Sequence, residues 1–321
     1  MTFADVVGHE RARAALERDL GEGRVAGAYL FVGPRGIGKR ALADAFAASL
    51  LCGGPACGTC AHCVRAAAGT HPDLLVVARE EDRRDILAEQ VRDLVRRLAL
   101  RPLMAERKVA IVDDAEHLNA HGQNALLKTL EEPPGGSVLL LVASAPSLLL
   151  PTVRSRCRRV RLDPLDEAAL VRLLRARGVA AEDAAALAAQ AGGSIGRALE
   201  LARPEAAAAR ARVLESLPRL AELPAAELSA LAHALAQGPL DAALAAAVSW
   251  YRDVLAAALG VERPRGADGV RAAAAGRRPA VALRQLALVC DTIAAIEQNA
   301  NRTLALETLL LDLREVERGG R

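Results

Sequence analysis

One stretch of this 321-residue chain decides its fold class: Ala28-Tyr29-Leu30-Phe31-Val32-Gly33-Pro34-Arg35-Gly36-Ile37-Gly38-Lys39-Arg40. The first five of these residues are apolar, as in a strand buried within a parallel sheet. A glycine-rich turn follows, and residues 41–51 have a helical period. A strand, a glycine-rich turn and a helix in this order predict a phosphate-binding loop of the G-x-x-x-x-G-K type.

The predicted loop carries all but one of the residues that nucleotide chemistry requires. Gly33, Gly36 and Gly38 would let backbone N–H groups point at phosphate oxygens. Lys39 would reach the β- and γ-phosphates. Arg40 stands where Ser or Thr normally gives a hydroxyl to Mg²⁺, and a guanidinium repels a cation instead of binding it. We therefore expect a loop that binds phosphate at most, with a plain glycine turn as the alternative.

A second stretch, Val109-Ala110-Ile111-Val112-Asp113-Asp114, predicts the other half of a nucleotide site. A strand that ends in an acid is the Walker B pattern, in which Asp113 would be the Mg²⁺ partner. The next residue is usually a glutamate that polarises the attacking water, and Asp114 is one methylene shorter. Displacing a base in this way lowers the rate. An acidic pair at a strand end is also a common cap or turn, so both interpretations stay open.

Four of the six cysteines, Cys52, Cys57, Cys60 and Cys63, form a C-x4-C-x2-C-x2-C cluster. In a chain with no export signal, such a cluster favours a metal site over disulfides. Four thiolates this close can surround one tetrahedral Zn²⁺, so residues 52–63 predict a structural zinc module. An iron–sulfur cluster or free thiols are the alternatives, although the C-x3-C-P ending of ferredoxins is absent.

A basic segment, Arg154-Ser155-Arg156-Cys157-Arg158-Arg159, follows a long uncharged stretch. In an arginine-rich chain the ordinary interpretation is a solvated basic turn. The sharper interpretation is an arginine finger, whose charged fork spreads over γ-phosphate oxygens in the transition state. The spacing alone does not separate the two.

Outward from these motifs, the first half of the chain alternates between strands and helices. Apolar runs predict strands at 28–32, 74–77, 109–112, 138–143 and 159–162. Helical periods lie between them, which predicts a parallel sheet covered by helices. After Pro164 the strand signals end. We expect an α/β core at 1–162, a small helical lid domain at 163–204 and an all-α C-terminal domain at 205–321.

The composition indicates a globular protein without naming a partner. Hydrophobic residues make up 52% and charged residues 25%, and the net charge of +3 neither demands nor excludes nucleic acid. The chain has no signal-peptide pattern, and prolines interrupt the uncharged run at 133–153, so we expect a cytoplasmic protein with no membrane partner. All three lysines, Lys39, Lys108 and Lys128, lie in the predicted core.

Together these segments resemble the bacterial clamp-loader subunits of the DNA polymerase III holoenzyme, which belong to the AAA+ class of P-loop NTPase-like proteins. The matching segments are Phe3-Ala4-Asp5-Val6-Val7-Gly8-His9, Ala28-Tyr29-Leu30-Phe31, the phosphate loop, the four cysteines, Thr70-His71-Pro72-Asp73, Asn124-Ala125-Leu126-Leu127-Lys128-Thr129-Leu130-Glu131-Glu132-Pro133-Pro134 and Ser155-Arg156-Cys157. The run at 124–134 with Ser-Arg-Cys downstream is highly specific. The resemblance is dense over 1–162, thinner over the lid, and returns at 301–307. It implies a C-terminal collar domain for oligomerisation.

Two kinds of family member compete: the ATP-hydrolysing gamma/tau subunit, and a related subunit that need not hydrolyse ATP. Gamma/tau has Thr at the position of Arg40 and Glu at the position of Asp114. Its lid carries a nucleotide-sensing Arg where this chain has Gly196, and Arg197 would point about 100° around the helix. The trans-acting Ser-Arg-Cys motif is intact. These departures favour the second kind, with weak or absent ATPase activity, over a gamma/tau-type ATPase or a AAA+ protein of another pathway.

The resemblance also implies partners and a role in DNA replication. The chain would join gamma/tau and delta in an open five-membered hetero-oligomer, within a nucleotidyltransferase holoenzyme. Arg156 would act as an arginine finger in the ATP site of the adjacent gamma/tau subunit. ATP binding would let the complex open the sliding clamp and grip primer–template DNA, and hydrolysis would release both. Whether the chain's own loop holds ATP or ADP stays open.

Overall fold

The apolar runs of the first half form a parallel sheet. In a computed structural model, which describes residues 2–79, 85–261, 268–298 and 300–319, the strands are β1 (Ala28–Val32), β2 (Leu74–Val77), β3 (Val109–Val112), β4 (Val138–Ala143) and β5 (Arg158–Arg161). The five strands follow the order β2-β3-β4-β1-β5, and every neighbouring pair is parallel. The first four strands have the predicted bounds, and β5 lies one residue earlier than predicted.

Helices cover both faces of this sheet. They are α1 (Glu10–Gly21), α2 (Lys39–Cys52), α3 (Ala61–Ala67), α4 (Ala88–Leu98), α5 (Ala120–Glu131) and the single turn α6 (Pro151–Arg154). Alternate residues of β1 point to opposite faces, as the pleat requires. Tyr29 and Phe31 pack with α1 and α2 in one apolar core, and Leu30 packs with α4 and α5 in the other. The predicted α/β fold, a parallel sheet covered by helices, is confirmed.

Three further helices follow β5, and the first compact unit, Met1–Arg197, ends within the third of them. They are α7 (Glu167–Ala176), α8 (Ala181–Gln190) and α9 (Ile195–Ala202), and they lie in the segment predicted to form a helical lid. Asp166 begins α7 by accepting a hydrogen bond from Ala169 N at 2.6 Å. The unit boundary at 197/198 falls within α9, and the division of the chain into three domains at 162/163 and 204/205 stays a prediction.

The second compact unit, Ala198–Arg321, is all helical in its described part. Its helices are α10 (Pro204–Ser216), α11 (Ala225–Ala236), α12 (Leu240–Ala258), α13 (Asp268–Ala274), α14 (Pro279–Glu297) and α15 (Arg302–Gly319). A buried network joins two of them: the Arg277 guanidinium donates to both Glu317 carboxylate oxygens at 2.7 Å, and Gln285 bonds to both partners. Each charge of this largely buried pair is thus compensated by the other, as burial of an ion pair requires.

One helix of the described residues is long and apolar enough, by length and composition alone, to cross a membrane. It is the segment Pro279–Ile296 of α14, of which 17% is buried within the protein. The uncharged run at 133–153 instead forms the predicted strand β4, short turns and the start of α6, a helical turn that was not predicted.

Candidate functional site

The predicted phosphate loop lies between β1 and α2, at the carboxyl end of the sheet. Gly36 and Gly38 have backbone φ angles of +73° and +104°, which residues other than glycine rarely adopt. Gly36 also has no room for a side chain, since an added Cβ would lie 2.5 Å from Ser194 Oγ. Both glycines are therefore required by the path of the backbone.

Lys39 is folded back onto its own loop. Its Nζ donates to the Pro34 carbonyl and to Ser144 Oγ, both at 2.8 Å, and the residue is 6% exposed. Burial lowers the pKa of Lys39, against the attraction of the nearby acids Glu116 and Asp114. Ser144 follows β4 and lies 105 residues from Lys39 in sequence. The ammonium group that would meet β- and γ-phosphates is thus satisfied within the protein.

Arg40 forms an ion pair with the predicted Mg²⁺ partner, Asp113. Arg40 NH1 donates to Asp113 Oδ2 at 2.9 Å, and Arg40 Nε donates to Asp44 Oδ1 at 2.9 Å. Burial disfavours the charged form of Arg40, but the two carboxylates outweigh it and raise its pKa. The guanidinium therefore meets the carboxylate oxygen that a Mg²⁺ ion would need, and supplies the compensating charge.

The acids that follow β3 are held by backbone groups. Asp114 adopts a left-handed conformation with φ +48°, and its N–H donates to Asp113 Oδ1 at 3.1 Å. Glu116 Oε1 accepts hydrogen bonds from the N–H groups of Ser144 and Ala145 at 2.9 and 3.3 Å. Glu116 therefore fixes the turn after β4, where Ser144 meets Lys39.

The lid contacts the phosphate loop directly. Gly196 N donates to the Gly36 carbonyl at 2.9 Å, and Ser194 Oγ donates to the Arg35 carbonyl at 3.0 Å. A Cβ on Gly196 would lie 3.0 Å from Gly36 Cα, so a nucleotide-sensing arginine does not fit there without movement. On the other side, His9 Nε2 lies 2.8 Å from the Ile37 carbonyl. Protein groups thus hold the loop from two sides.

The four cysteines of the predicted zinc module come together after α2. Their Sγ atoms all lie within 4.8 Å of one another, and the pairs Cys52–Cys60 and Cys57–Cys63 are 3.7 and 4.0 Å apart. Tetrahedral zinc with Zn–S bonds of about 2.3 Å needs S–S separations of about 3.8 Å. The cluster could hold one metal ion of this type.

Backbone N–H groups donate hydrogen bonds to two of these sulfurs, Cys57 and Cys60. Cys57 Sγ accepts from Cys60 N at 3.3 Å and from Thr59 Oγ1 at 3.6 Å, and the N–H groups of Cys60 and Thr59 lower the pKa of Cys57 to about 6. Cys60 Sγ accepts from Cys63 N at 3.5 Å. Burial raises the pKa of Cys63 to about 12, so a metal ion would have to displace its proton.

A histidine pair connects the cysteine module to the sheet. His62 Nδ1 and His71 Nε2 are 3.0 Å apart, and His71 Nδ1 accepts from Asp73 N at 3.1 Å. Asp73 is completely buried and precedes β2. Its carboxylate accepts three backbone N–H bonds of 2.7 to 2.9 Å from residues 103–105. The Thr-His-Pro-Asp motif thus joins three segments of chain.

Arg156, the candidate finger, lies in the turn between α6 and β5. Its Nε donates to Glu131 Oε1 at 2.6 Å, its NH2 also pairs with Glu131, and its NH1 donates to the Thr152 carbonyl at 3.0 Å. The side chain is 34% exposed. Among the described residues, no hydrogen bond or ion pair joins Arg156 to the phosphate loop. Its position fits action outside its own nucleotide site.

The structure therefore brings the sequence-predicted residues together in three separate groups. Lys39, Asp113 and Asp114 surround the loop with its three glycines, the cysteines form one cluster, and Arg156 stands apart. Sequence reasoning missed the partners Asp44, Glu116, Glu131 and Ser144. Only Glu131 had a signal, because it belongs to the family-specific run at 124–134.

Comparison with known proteins agrees with this geometry. The family described as DNA polymerase III, delta subunit matches residues 8–166. The delta' subunit of DNA polymerase III from Pseudomonas aeruginosa is 37% identical over 309 residues, which cover 91% of this chain and 92% of the relative. The Bacillus subtilis delta' subunit is 32% identical over 64% of this chain and 63% of the relative. The Haemophilus influenzae tau/gamma subunit is 38% identical over 52% of this chain and 24% of the relative.

The parallel sheet, the phosphate loop and the Ser-Arg-Cys turn define a AAA+ protein of the clamp-loader class, which confirms the resemblance drawn from the sequence. Within that class, the chain belongs to the family of the DNA polymerase III delta' subunit. The delta' family is the second kind of member considered above, and its match along nearly the whole chain favours it over the gamma/tau alternative.

Proposed function

We propose that this chain helps to load a sliding clamp onto primed DNA as the delta' component of a clamp loader, without turning over ATP itself. The observation that carries the proposal is the ion pair between Arg40 and Asp113 at 2.9 Å. It supplies a fixed positive charge at the carboxylate oxygen that would otherwise ligate Mg²⁺. A second cation beside a guanidinium is repelled, so Mg²⁺-dependent hydrolysis is disfavoured.

Two further contacts support a loop without turnover. The Lys39 ammonium already has two acceptors at 2.8 Å, so phosphate would have to compete with the Pro34 carbonyl and Ser144. Gly196 N donates to the loop at Gly36, where an ATPase of this class places a sensing arginine. The site residues Gly33, Gly36, Gly38, Lys39, Asp113 and Asp114 thus form a vestigial nucleotide site, which binds ATP or ADP weakly or not at all.

Arg156 acts in trans as an arginine finger in this proposal. Its guanidinium stays fully charged and lies at the surface of the first unit, away from the chain's own loop. In the adjacent gamma/tau subunit it would stabilise the charge that develops on the γ-phosphate. The chain thus contributes to hydrolysis that another subunit carries out.

The proposed partners are gamma/tau and delta in a hetero-oligomeric ring, with the sliding clamp and primer–template DNA as the substrates of the complex. The helical unit leaves apolar side chains of α14 at its surface, and Leu283 is 56% exposed. A collar contact with neighbouring subunits would cover such a face. This role requires no membrane and places the protein in the cytoplasm, with residues 1–162, 163–204 and 205–321 as core, lid and collar.

Cys52, Cys57, Cys60 and Cys63 are the proposed ligands of one structural Zn²⁺. Zinc bound by four thiolates has no open position for substrate, so it would stabilise the module and take no part in hydrolysis. The S–S separations of 3.7 and 4.0 Å support zinc, since they are close to the edge of a ZnS₄ tetrahedron.

The decisive experiment is copurification of the chain with gamma/tau and delta, followed by nucleotide analysis and ATPase assays. We expect a stable complex that loads the clamp, and no Mg²⁺-dependent turnover by the chain alone, with or without clamp and DNA. Turnover by the isolated chain that Lys39→Ala abolishes would overturn the proposal in favour of a gamma/tau-type ATPase. Failure to bind either subunit would remove the clamp-loader role itself.

A further inference from the structure

The candidate finger is held by one carboxylate at the end of a neighbouring helix. Glu131 is the last residue of α5, and Pro133 and Pro134 stop the helix immediately after it. Its Oε1 accepts from Arg156 Nε at 2.6 Å and also pairs with NH2. The two residues lie 25 positions apart in sequence. The contact therefore joins the end of α5 to the turn that precedes β5.

A second contact fixes the other side of the same guanidinium. Arg156 NH1 donates to the Thr152 carbonyl of α6 at 3.0 Å. An arginine side chain has five N–H groups in one plane, and these contacts use Nε–H and one N–H of each terminal nitrogen. Among the described residues, no partner is recorded for the second N–H of NH1 or of NH2, the two terminal nitrogens that form the distal edge of the guanidinium. The terminal nitrogens of an arginine can together grip two oxygens of a phosphate.

Fixing an arginine in this way has a definite catalytic value. A free arginine side chain explores many rotamers, and the freedom it loses on meeting a transition state lowers the rate. A finger that is already oriented loses less freedom at that step. Glu131 touches no substrate in this arrangement, since it acts through Arg156.

We propose that Glu131 is the positioning residue for the arginine finger: it orients Arg156 so that the distal edge of the guanidinium faces the γ-phosphate in the adjacent subunit. The inference rests on the proposed function, because it needs Arg156 to act in trans. Glu131 pairs with the finger before the partner arrives and keeps the pair in the transition state, while the distal N–H groups bind the phosphate oxygens.

The adjacent residue provides a matched control. Glu132 has the same charge, follows Glu131 directly and is exposed. No hydrogen bond or ion pair of its side chain is recorded among the described residues. Glu131→Ala and Glu132→Ala therefore remove the same charge from the same end of α5, and only Glu131→Ala removes the contact with Arg156.

The test uses the full complex of this chain with gamma/tau and delta, together with clamp and primed DNA. The share of ATP turnover that Arg156→Ala removes is measured first, since it defines hydrolysis at the finger-dependent site. Glu131→Ala is expected to lower kcat of that share by three- to tenfold and to leave KM for ATP within twofold. Glu131→Gln keeps an oxygen acceptor and should restore at least half of the loss, whereas Glu132→Ala should change turnover less than twofold.

A double variant separates positioning from a general effect on the complex. In the Arg156→Ala background, adding Glu131→Ala should cause no further loss, because the two residues act as one unit. Unchanged or increased turnover in Glu131→Ala, when Arg156→Ala alone lowers it, would overturn the positioning role and leave the finger intact. No effect of Arg156→Ala would instead remove the finger from the proposed function. An equal loss with Glu132→Ala would attribute the effect to charge alone.

Discussion

The phosphate loop and the Ser-Arg-Cys turn both carry residues typical of nucleotide chemistry, but their charged groups differ in their hydrogen-bond partners. In the loop, Lys39 has two protein acceptors, and Arg40 is paired with Asp44 and Asp113. In the turn, Arg156 is bonded to Glu131 and to a backbone carbonyl, and no partner is recorded among the described residues for one N–H of each of its terminal nitrogens. The charged groups of Lys39 and Arg40 in the loop have partners within the protein, whereas the turn keeps N–H groups that, in the proposed function, bind the γ-phosphate in a neighbouring subunit.

If the proposed function is right, this difference teaches that a chain can lose hydrolysis and still contribute to hydrolysis in a neighbouring subunit. The two functions are separable because they use different residues, with no recorded bond between them among the described residues. One change, a guanidinium in place of the hydroxyl at position 40, is enough to occupy the magnesium ligand. The recorded side-chain partners of Arg40 are Asp44 and Asp113, neither of which belongs to the Ser-Arg-Cys turn.

The largest expected effect comes from removing the finger. Arg156→Ala should leave assembly intact and lower ATP turnover at the adjacent site at least tenfold, because the transition-state charge on the γ-phosphate loses its partner. Arg159→Ala is the control, since Arg159 is exposed on β5 and carries the same charge. Steady-state hydrolysis by the reconstituted complex measures both. Equal turnover in the two variants would break the contrast between turn and loop.

A smaller effect should follow from reopening the loop. Arg40→Thr removes the cation paired with Asp113 and adds a hydroxyl. In this variant, Mg²⁺ should increase the affinity for nucleotide by roughly three- to tenfold. Turnover should stay absent, because Asp114 and the Gly196 contact are unchanged. Titration of the isolated chain with a fluorescent ATP analogue, with and without Mg²⁺, measures this. Arg35→Thr removes the same charge from the loop, and a Mg²⁺ effect of equal size there would contradict the assignment.

Much of the α/β unit was predictable because its signals are local. The runs at 28–32 and 138–143 are continuously apolar, and central parallel strands are buried on both faces, so their bounds follow from composition. The four cysteines lie within twelve residues, so their clustering also needs no long-range information. Asp113 ends a strand, and the parallel sheet alone brings that strand end near the loop.

The contacts that decide the chemistry were not predictable in this way. Lys39 and Ser144 are 105 residues apart, and Arg40 and Asp113 are 73 apart, so only the fold reveals that they bond. Lysine is rare in this chain, which makes Lys108 notable, but the composition does not explain why a lysine stands there. Its Nζ donates to the Arg97 carbonyl at 2.6 Å, which satisfies the end of α4 with a positive charge. Lys128, in contrast, is exposed, and no side-chain bond of it is recorded among the described residues.

A change at the contact between lid and loop should affect stability more than turnover. Gly36→Ala combines a φ of +73° with a Cβ placed 2.5 Å from Ser194 Oγ, whereas Gly135→Ala has a φ of +60° and no atom within 4 Å. The second variant measures the backbone cost alone. We expect Gly36→Ala to be less stable than Gly135→Ala by about 1 kcal/mol, the ordinary cost of overpacking. Chemical denaturation of the chain tests this. Equal stability of the two variants would mean that the lid leaves room for a side chain at position 36.

The smallest effect on hydrolysis should come from the metal module, which belongs to neither side of the comparison. Metal analysis of the purified chain should find one zinc ion per chain. A brown protein that contains iron would contradict the zinc assignment. Chelation should increase hydrogen exchange within residues 52–63, because weak sulfur hydrogen bonds such as Cys52–Cys60 at 3.7 Å would replace the much stronger metal–thiolate bonds. The complex should nevertheless keep at least half of its turnover, since the module contacts the sheet through His62 and His71 and no bond from it to Arg156 or Lys39 is recorded among the described residues. A larger loss would mean that the structure of the module affects the phosphate loop or the Ser-Arg-Cys turn. Comparison of the chelated complex with Arg156→Ala would show which of the two is affected.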